Sequence, residues 1–178
     1  MNVEEKTVKS KLVYDCSVFK VYEDISLLPN GQKVGRNWIC HNGGSGVLPI
    51  TKDGDVLLVE QFRYGLAGIT LEIPAGKLEP NEDPAECALR ELGEEVGAKT
   101  NELISLGCLA ATPAYDSEII YIFMAECDEF VQQHPDEDEF LNIRRVPFEK
   151  AIEMVMDGTI IDSKTQIALL KAQKIQKG

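Results

Sequence analysis

Segment 76–98, GKLEPNEDPAECALRELGEEVGA, constrains the fold of this chain more than any other stretch. It opens with glycine, proline and asparagine residues that favour turns. Asp83 then stands directly before Pro84, as a helix N-cap stands before a proline in the first helical position. Apolar residues recur among charged ones at helical spacing after that point, and Gly97 supplies a typical C-terminal stop. The sequence therefore predicts a loop followed by a helix that ends at Gly97.

The predicted helix carries a cluster of carboxylates. Glu91, Glu94 and Glu95 are spaced to project from one helix face. Like charges at that spacing repel by about 0.3 kcal/mol per exposed pair, so a cation should offset them. Oxygen ligands suit a hard divalent ion such as Mg2+ or Mn2+, which would also engage substrate phosphates. A solvated acidic face is the ordinary alternative, but the neighbouring Arg90 and the upstream Glu82 favour a metal site.

The same residues resemble the signature of the Nudix hydrolases. The segment is similar to that signature at every fixed position, namely Gly76, Glu82, Arg90, Glu91, Leu92, Glu94, Glu95, Gly97 and Ala98. A match of this length and fixed spacing is highly specific. The resemblance implies that the helix glutamates bind divalent metal and that the arginine orients them. It also implies hydrolysis of a nucleoside diphosphate, linked to another group, at its pyrophosphate.

Position in the signature assigns the metal ligands by resemblance. Glu91 and Glu95 are the main ligands, Glu94 belongs to the same cluster, and the carbonyl of Ala75 is a further ligand. Arg90 and Glu94 are also counted among the catalytic residues. The expected cofactor is Mg2+, with Mn2+ as a substitute.

Composition indicates an ordinary globular chain. Its 178 residues are 44% hydrophobic and 27% charged, which suits one domain with a substantial core. The net charge of -12 argues against nonspecific binding to nucleic acid or anionic membranes. Five cysteines without a CxxC pair favour reduced, mostly buried thiols over a disulfide framework. No stretch resembles a signal peptide or a membrane span, so we predict a cytoplasmic protein.

Hydrophobic periodicity predicts strands before and after the signature helix. Residues 3–28 alternate as antiparallel strands do, and 29–31 form a turn before a strand at 33–41. Further strands are predicted at 47–50, 56–62, 71–73, 103–109 and 119–125, and helices at 147–156 and from Asp162 or Ser163 onward, where Ser163 and Gln166 suggest a capping box.

The resemblance implies a fold of the α/β (α+β) class. The expected architecture is a Nudix-type α/β/α sandwich around a mixed β-sheet, with a small N-terminal antiparallel sheet. We expect a single domain over 1–178, in which 1–41 supplies dimer-forming strands and 42–178 the catalytic core. Composition alone leaves an ordinary edge sheet equally open for the leading strands.

Several strings resemble the ADP-ribose pyrophosphatase branch of the family. In the string EQFRY, the resemblance gives Arg63 a contact with substrate phosphate, which suits the geometry of a guanidinium. A surface arginine is the alternative. Glu72 is also a substrate-contact candidate, with a solvent-facing strand glutamate as the alternative. Arg36 is included among the predicted substrate contacts.

Pro113 stands where that branch places a proline, sixteen residues after Gly97. The surrounding string is TPAYDSE, in which Ala114 replaces the usual glycine and the Asp and Ser positions are exchanged. Pro113 and Tyr115 are predicted substrate contacts. The departures make the assignment to the branch weaker than the assignment to the family, and a simple turn before a strand is the alternative.

A second acidic cluster follows at 136–139, DEDE. The resemblance assigns the catalytic base to Glu137 and a further catalytic, metal-holding carboxylate to Glu139. A shift of one step would exchange the two roles. A solvated loop is the alternative, since most charge runs are exposed.

The resemblance implies Mg2+-dependent hydrolysis of ADP-ribose to AMP and ribose 5-phosphate. The expected partner is therefore a small nucleoside diphosphate sugar, with no nucleic acid, no membrane and a homodimeric assembly. Three alternatives remain: hydrolysis of another such sugar, for example GDP-mannose, a non-catalytic ADP-ribose sensor, or removal of oxidised nucleoside triphosphates. The intact carboxylates argue against a silent sensor, and the lack of a basic helix argues against a transcription regulator.

Overall fold

The computed structural model describes residues 2–100, 102–134 and 140–177. In chain order they form strands β1 (Lys6–Asp15), β2 (Phe19–Leu27), β3 (Lys33–His41), β4 (Gly44–Thr51), β5 (Asp55–Arg63), β6 (Gly68–Glu72) and β7 (Ala75–Lys77), helix α1 (Pro84–Val96), strands β8 (Ala98–Lys99), β9 (Ile104–Ala110), β10 (Ile119–Cys127), β11 (Glu129–Phe130) and β12 (Leu141–Pro147), and helices α2 (Phe148–Met156) and α3 (Ser163–Gln176). The chain divides into two compact units.

The first unit comprises residues 1–43 and 110–119. Its core element is an antiparallel sheet in the order β1-β2-β3, with a turn before β3 at Gly31, where φ is +85°. The backbone of residues 110–119 lies beside β3. The amide of Ile39 in β3 donates to the carbonyl of Tyr115 at 2.7 Å. The predicted small N-terminal antiparallel sheet is confirmed.

The second unit comprises residues 44–109 and 120–178 and contains the large sheet. Its strand order is β12-β5-β4-β10-β9, and β6 pairs with β5 while β7 pairs with β4. Strands β4 and β10 run parallel, whereas β4 and β5, β5 and β12, and β5 and β6 run antiparallel. The sheet is therefore mixed, as predicted. The single domain over 1–178, with leading strands at 1–41 and the catalytic core at 42–178, stays a prediction.

Buried apolar side chains form two clusters on opposite faces of this sheet, because successive residues of a strand point to opposite sides. One cluster joins Val47, Leu57 and Val59 to the α1 residues Ala88, Leu92 and Val96. The other joins Leu48, Val56 and Leu58 to Phe148, Ala151 and Ile152 of α2 and to Ala168, Leu169 and Ala172 of α3. The expected α/β/α sandwich is confirmed.

Helix α1 begins and ends where the sequence predicts. The side chain of Asp83 accepts a hydrogen bond from the amide of Ala85 at 2.8 Å, and Pro84 opens the helix. Gly97 ends it with φ of +63° and donates to the carbonyl of Gly93. A side chain at Gly97 would also overlap the carbonyl of Val131, so glycine is required there for two reasons.

The start of α3 differs from the predicted capping box. Asp162 caps the helix, because its Oδ2 accepts from the amide of Thr165 at 2.9 Å and from Thr165 Oγ1 at 2.5 Å. Gln166 instead donates from Nε2 to the carbonyl of Ile160 at 2.7 Å. An aspartate preceding the first turn satisfies two donors here, and the capping box of Ser163 with Gln166 is wrong.

The five cysteines carry free thiols. Cys87 and Cys127 are buried, Cys16 and Cys40 are half-buried, and Cys108 is exposed. Within the described residues, no helix is both long and apolar enough to cross a membrane.

Candidate active site on the first helix

The site begins with two carboxylates of α1 that are almost completely removed from solvent. Glu91 retains 7% and Glu95 2% of its exposed surface. Strand β7 lies beside them, and the amide of Ala75 donates to Glu95 Oε2 at 3.0 Å. Glu94 follows Glu91 by three residues on the same helix face, and its side chain is half-exposed. The structure therefore places Ala75 and the predicted ligand glutamates of α1 at one place in the second unit.

Arg90 connects the carboxylates of the site. Its Nη1 donates to Glu91 Oε1 at 2.6 Å and to Glu94 Oε2 at 2.9 Å, and its Nε donates to Glu82 Oε1 at 3.0 Å. Nη2 also donates to the carbonyl of Lys77 at 3.3 Å. The hydrogen bonds that Arg90 donates to Glu82, and then the charge of Glu91, raise the pKa of Arg90. One guanidinium thus offsets the repulsion among three carboxylates and fixes their positions.

Glu82 anchors the loop that precedes α1. Its Oε2 accepts from the amide of Glu79 at 2.8 Å while its other oxygen accepts from Arg90. The hydrogen bond from Arg90 holds the pKa of Glu82 below its ordinary value. Glu82 therefore stays ionised at neutral pH and braces the arginine from the side opposite the helix glutamates.

Cys87 lies beneath this loop and does not join the polar cluster as a thiolate. Its Sγ lies 3.5 Å from the carbonyl of Lys77. Burial first, and then the charge of Glu82, raise the pKa of Cys87 to about 12. The thiol therefore stays protonated at neutral pH.

Gly76 leaves the space that the Glu91 carboxylate fills. A Cβ built on Gly76 would overlap the Oε1 and Cδ atoms of Glu91. Since φ at Gly76 is not positive, the requirement for glycine here comes from this close approach and not from backbone conformation.

Replacing Gly76 with alanine should displace the Glu91 carboxylate and lower the rate of catalysis by about tenfold to a hundredfold. Gly93→Ala is the matched control, because a Cβ at Gly93 meets no atom within 4 Å. That control should retain activity and gain about 1 kcal/mol of stability, since alanine favours a helix over glycine. Steady-state rates and thermal unfolding of both variants test the contrast; equal activity of both would contradict it.

The donor set fits a hard divalent cation. Two buried carboxylates and a third beside them are oxygen ligands of the kind that Mg2+ prefers. Ala75, whose carbonyl is the predicted further ligand, lies next to Glu95 through its amide. Among the described residues, no three acidic, histidine or cysteine side chains are already gathered as a cation site. Instead, Arg90 draws Glu91 and Glu94 together while Glu95 accepts from Ala75. The arrangement supplies oxygen ligands together with one arginine, whose single positive charge offsets only part of their negative charge.

Five other predicted site residues are not described together with the α1 carboxylates. Glu137 and Glu139 lie outside the described residues. Arg36, Pro113 and Tyr115 belong to the first unit, where Arg36 donates to both oxygens of Glu5 at 3.1 and 2.7 Å. Pro113 and Tyr115 are exposed there. Their roles as substrate contacts, and those of the two acidic residues in catalysis, stay predictions.

Arg63 and Glu72 form a second charged group in the second unit. The Nε and Nη2 atoms of Arg63 donate to the two Glu72 oxygens at 2.7 and 2.6 Å. Thr70 Oγ1 donates to Glu72 at 2.6 Å, and Lys164 Nζ is in close contact with it. Glu72 is only 2% exposed, so the alternative of a solvent-facing strand glutamate is wrong.

The ionisation of Glu72 should make stability depend on pH. Burial acts to raise the pKa of Glu72, but hydrogen bonds from Arg63 and Lys164 and the charge of Lys164 overcome it and lower the pKa from 4.5 to about 2. Because the folded-state pKa is depressed, this stabilisation is present above pH 4.5 and is lost as pH falls towards 2. At neutral pH it amounts to about 3 kcal/mol.

The free energy of unfolding of native protein and of Glu72→Gln, measured between pH 7 and pH 3, tests this expectation. The difference between the two should shrink as the solution is acidified. A difference that stays constant over that range would contradict the assigned ionisation.

Sequence reasoning missed the residues that complete this group. Lys164 donates to both Glu72 and Asp162, and Thr165 Oγ1 receives the amide of Ile73 at 2.8 Å. One signal was present in the sequence. A lysine in the first turn of a helix opposes the helix dipole and therefore calls for a local anionic partner.

Comparison with known proteins gives the family. The profile of the NUDIX domain matches residues 41–166. The chain is 35% identical over 170 residues to "ADP-ribose pyrophosphatase" of Bacillus subtilis (strain 168), covering 94% of this chain and 92% of that protein. It is 38% identical over 168 residues to "Methanol dehydrogenase activator" of Bacillus methanolicus, covering 93% and 91%.

A further relative is "GDP-mannose pyrophosphatase" of Yersinia pestis (strain Pestoides F), 35% identical over 147 residues, or 74% of this chain and 71% of that protein. A solved structure described as "Crystal structure of ADP compounds hydrolase" is 24% identical, with a TM-score of 0.88 over 100% of this chain and 97% of that chain. This last likeness concerns the fold.

The chain therefore belongs to the Nudix hydrolase family. The predicted Nudix pyrophosphohydrolase resembling the ADP-ribose pyrophosphatase branch is confirmed at that level. Members of this family generally use divalent metal ions.

Proposed function

We propose that this protein hydrolyses ADP-ribose at its pyrophosphate bond, consuming one water and releasing AMP and ribose 5-phosphate, with Mg2+ as its metal and Mn2+ as a substitute. The observation that carries the proposal is the convergence of Glu82, Glu91 and Glu94 on Arg90, with the buried Glu95 beside Ala75. A relative named ADP-ribose pyrophosphatase that aligns over 94% of the chain supports the choice of substrate.

The site residues of α1, together with Ala75 and Glu82, have distinct roles in this proposal. Glu91, Glu95, Glu94 and the Ala75 carbonyl hold the metal, and Arg90 sets the spacing of the carboxylates. The bound metal would polarise the attacking water and neutralise charge that builds on the phosphoryl oxygens. Glu82 keeps the arginine in place from the loop.

The catalytic base is assigned to Glu137, and Glu139 is assigned as a further carboxylate that holds metal. Water is a poor nucleophile at neutral pH, so a base that accepts its proton typically contributes about a hundredfold to ten-thousandfold in rate. The assignment comes from resemblance, and exchanging the two roles is the alternative. Comparing Glu137→Gln with Glu139→Gln separates the roles, because only loss of the base should be relieved at high pH.

Substrate contacts are assigned to Arg63, Arg36, Pro113 and Tyr115. Arg63 would bind phosphate oxygens, since a guanidinium matches their geometry. Arg36 belongs to the first unit, where it pairs with Glu5, and its proposed role as a substrate contact rests on the sequence alone. Pro113 and Tyr115 also belong to the first unit, and their proposed role as substrate contacts rests on the resemblance.

We also propose a homodimer that forms through residues 1–41 in the cytoplasm. Every residue of β1 is exposed, and apolar residues are among them: Val8, Leu12, Val13 and Tyr14. An exposed apolar edge strand is a common site of association between chains. Sedimentation of the native chain tests the assembly.

Two relatives favour further candidates. One is named GDP-mannose pyrophosphatase, which favours the same chemistry on a different nucleotide sugar. The other is named Methanol dehydrogenase activator, which favours a role exerted on another protein. The metal helix serves either candidate, so substrate preference has to be measured.

Steady-state kinetics on ADP-ribose and GDP-mannose, with the products identified, tests the proposal. We expect a kcat/KM for ADP-ribose at least about tenfold higher, a difference of roughly 1.4 kcal/mol in transition-state stabilisation. A higher kcat/KM for GDP-mannose would overturn the choice of substrate. Binding of ADP-ribose without turnover of either sugar would favour the sensor.

A further inference from the structure

Lys164 is a buried cation without a role in the metal helix. It lies in the first turn of α3, and only 8% of its surface is exposed. A cation at this end of a helix opposes the dipole, and a buried charge is costly unless it is paired. Its Nζ donates to Asp162 Oδ1 at 2.9 Å and contacts Glu72 Oε2 more closely. The lysine is therefore held in place by two carboxylates.

Glu72 connects Lys164 to Arg63. One edge of the guanidinium, formed by Nε and Nη2, is bound to the two Glu72 oxygens at 2.7 and 2.6 Å. The opposite edge carries Nη1, which makes no hydrogen bond to another residue in 2–100, 102–134 or 140–177. Since 43% of the Arg63 side chain is exposed, that edge can bind an anion while Glu72 keeps the orientation fixed.

This charged group lies close to the metal helix. The hydrogen bonding that Arg63 donates to Glu72 is the main cause that raises the pKa of Arg63, and the charge of Glu95 also contributes. The backbone connects the two places as well. The amide of Ile73, next to Glu72, donates to Thr165 Oγ1 at 2.8 Å, and the amide of Ala75 donates to Glu95 at 3.0 Å. Residues 73–75 therefore contact the start of α3 at one end and the α1 carboxylate Glu95 at the other.

Charge balance gives Lys164 a second effect. Arg63 and Lys164 together balance Glu72 and Asp162, so the group is neutral overall. Without the lysine it would carry a net negative charge and would repel an anionic ligand. The orientation and the charge of the Arg63 edge therefore both depend on Lys164.

We propose that Lys164 is a positioning residue for the hydrolysis reaction: acting through Glu72, it holds Arg63 with its unused edge towards the pyrophosphate of the substrate. The proposal rests on the proposed function. It gives Glu72 a positioning role in place of a direct substrate contact, because both of its oxygens accept from protein donors.

Lys164→Met tests the proposal in two backgrounds, native and Arg63→Ala. In the native background, kcat/KM for ADP-ribose should fall by about tenfold to a hundredfold, mainly through a higher KM. In the Arg63→Ala background the same change should alter kcat/KM by less than about twofold, because Lys164 acts through the arginine. An equal fall in both backgrounds would overturn the proposal.

Lys171→Met is the matched control on α3. Lys171 donates to the carbonyl of Leu106 at 2.5 Å and does not contact Glu72, so its loss should leave KM unchanged. A purely structural role of Lys164 would lower the fraction of active protein, and thus kcat, without changing KM. Such a result for Lys164→Met would overturn the proposal.

Inorganic pyrophosphate binding separates this proposal from the proposed function. If native protein hydrolyses neither ADP-ribose nor GDP-mannose, the proposed function fails, and calorimetric titration with pyrophosphate still tests the positioning role. Lys164→Met should then weaken binding about tenfold in the native background only. Unchanged pyrophosphate affinity would overturn the role of Lys164.

Discussion

Glu95→Gln should lower kcat for ADP-ribose hydrolysis by about a hundredfold to ten-thousandfold. Glu95 is 2% exposed and lies beside Ala75, so it has the burial expected of a main metal ligand. The amide of glutamine has nearly the same shape and can still accept from the Ala75 backbone. The change therefore removes the negative charge that a divalent cation requires and leaves the packing in place. Initial rates over a range of Mg2+ concentrations measure the effect.

Glu86→Gln is the matched control for this experiment. Glu86 lies in the first turn of the same helix and is exposed, so neutralising it should change kcat by less than about twofold. Wild-type activity in Glu95→Gln would contradict the assignment of α1 as the metal helix. A fall of the same size in both variants would instead indicate a general effect of helix charge.

Arg90→Lys should lower kcat/KM by about a hundredfold and raise the Mg2+ concentration needed for half-maximal activity. The lysine preserves the positive charge but cannot contact Glu82, Glu91 and Glu94 at once, as the guanidinium does at 3.0, 2.6 and 2.9 Å. The carboxylates would lose their fixed spacing, and part of their mutual repulsion would return. Metal titrations of activity and thermal unfolding report the two consequences separately.

Arg145→Lys provides the comparison for that result. Arg145 also contacts two carboxylates, Asp55 at 2.6 Å and Asp53 at 2.5 Å, but it lies on the exposed surface. Exposed ion pairs contribute little, so this change should leave both kinetics and stability nearly unaltered. If Arg90→Lys behaved like Arg145→Lys, the arginine would have no organising role in the site.

Helix α1 was predictable because its signals are local. The cap at Asp83, the proline after it and the stop at Gly97 act on neighbouring backbone groups, and each appears in the structure as expected. The spacing of Glu91 and Glu95 follows from the helical repeat alone. Their assignment as metal ligands came from the family resemblance, and it stays a prediction.

The group around Glu72 was not predictable from local signals. Its partners come from β5 and the start of α3, and Lys164 is 92 residues away along the chain. From the sequence alone, a glutamate and a lysine this far apart are predicted to be separate surface residues, because no local signal indicates that they pair in the fold. The prediction of the α3 cap was wrong for a different reason. Asp162 and Ser163 are both good N-cap residues, and only the contact of Asp162 with Thr165 distinguishes them.

The order of strands in the large sheet also depends on long-range contacts. Strand β10 pairs in parallel with β4, and Ile120 lies opposite Gly44. The apolar runs predict that both strands are buried, but no periodicity states which strand pairs with which. The architecture could be anticipated through the family resemblance, which carries that information from proteins with similar signatures.

Formation of AMP and ribose 5-phosphate from ADP-ribose, with and without Mg2+, tests the central claim most directly. Native protein should release the two products in equal amounts with Mg2+, stop when the metal is chelated, and resume when Mg2+ is restored. Undiminished release under chelation would contradict metal-dependent hydrolysis at α1. Failure to cleave ADP-ribose at any Mg2+ concentration would contradict the proposed substrate.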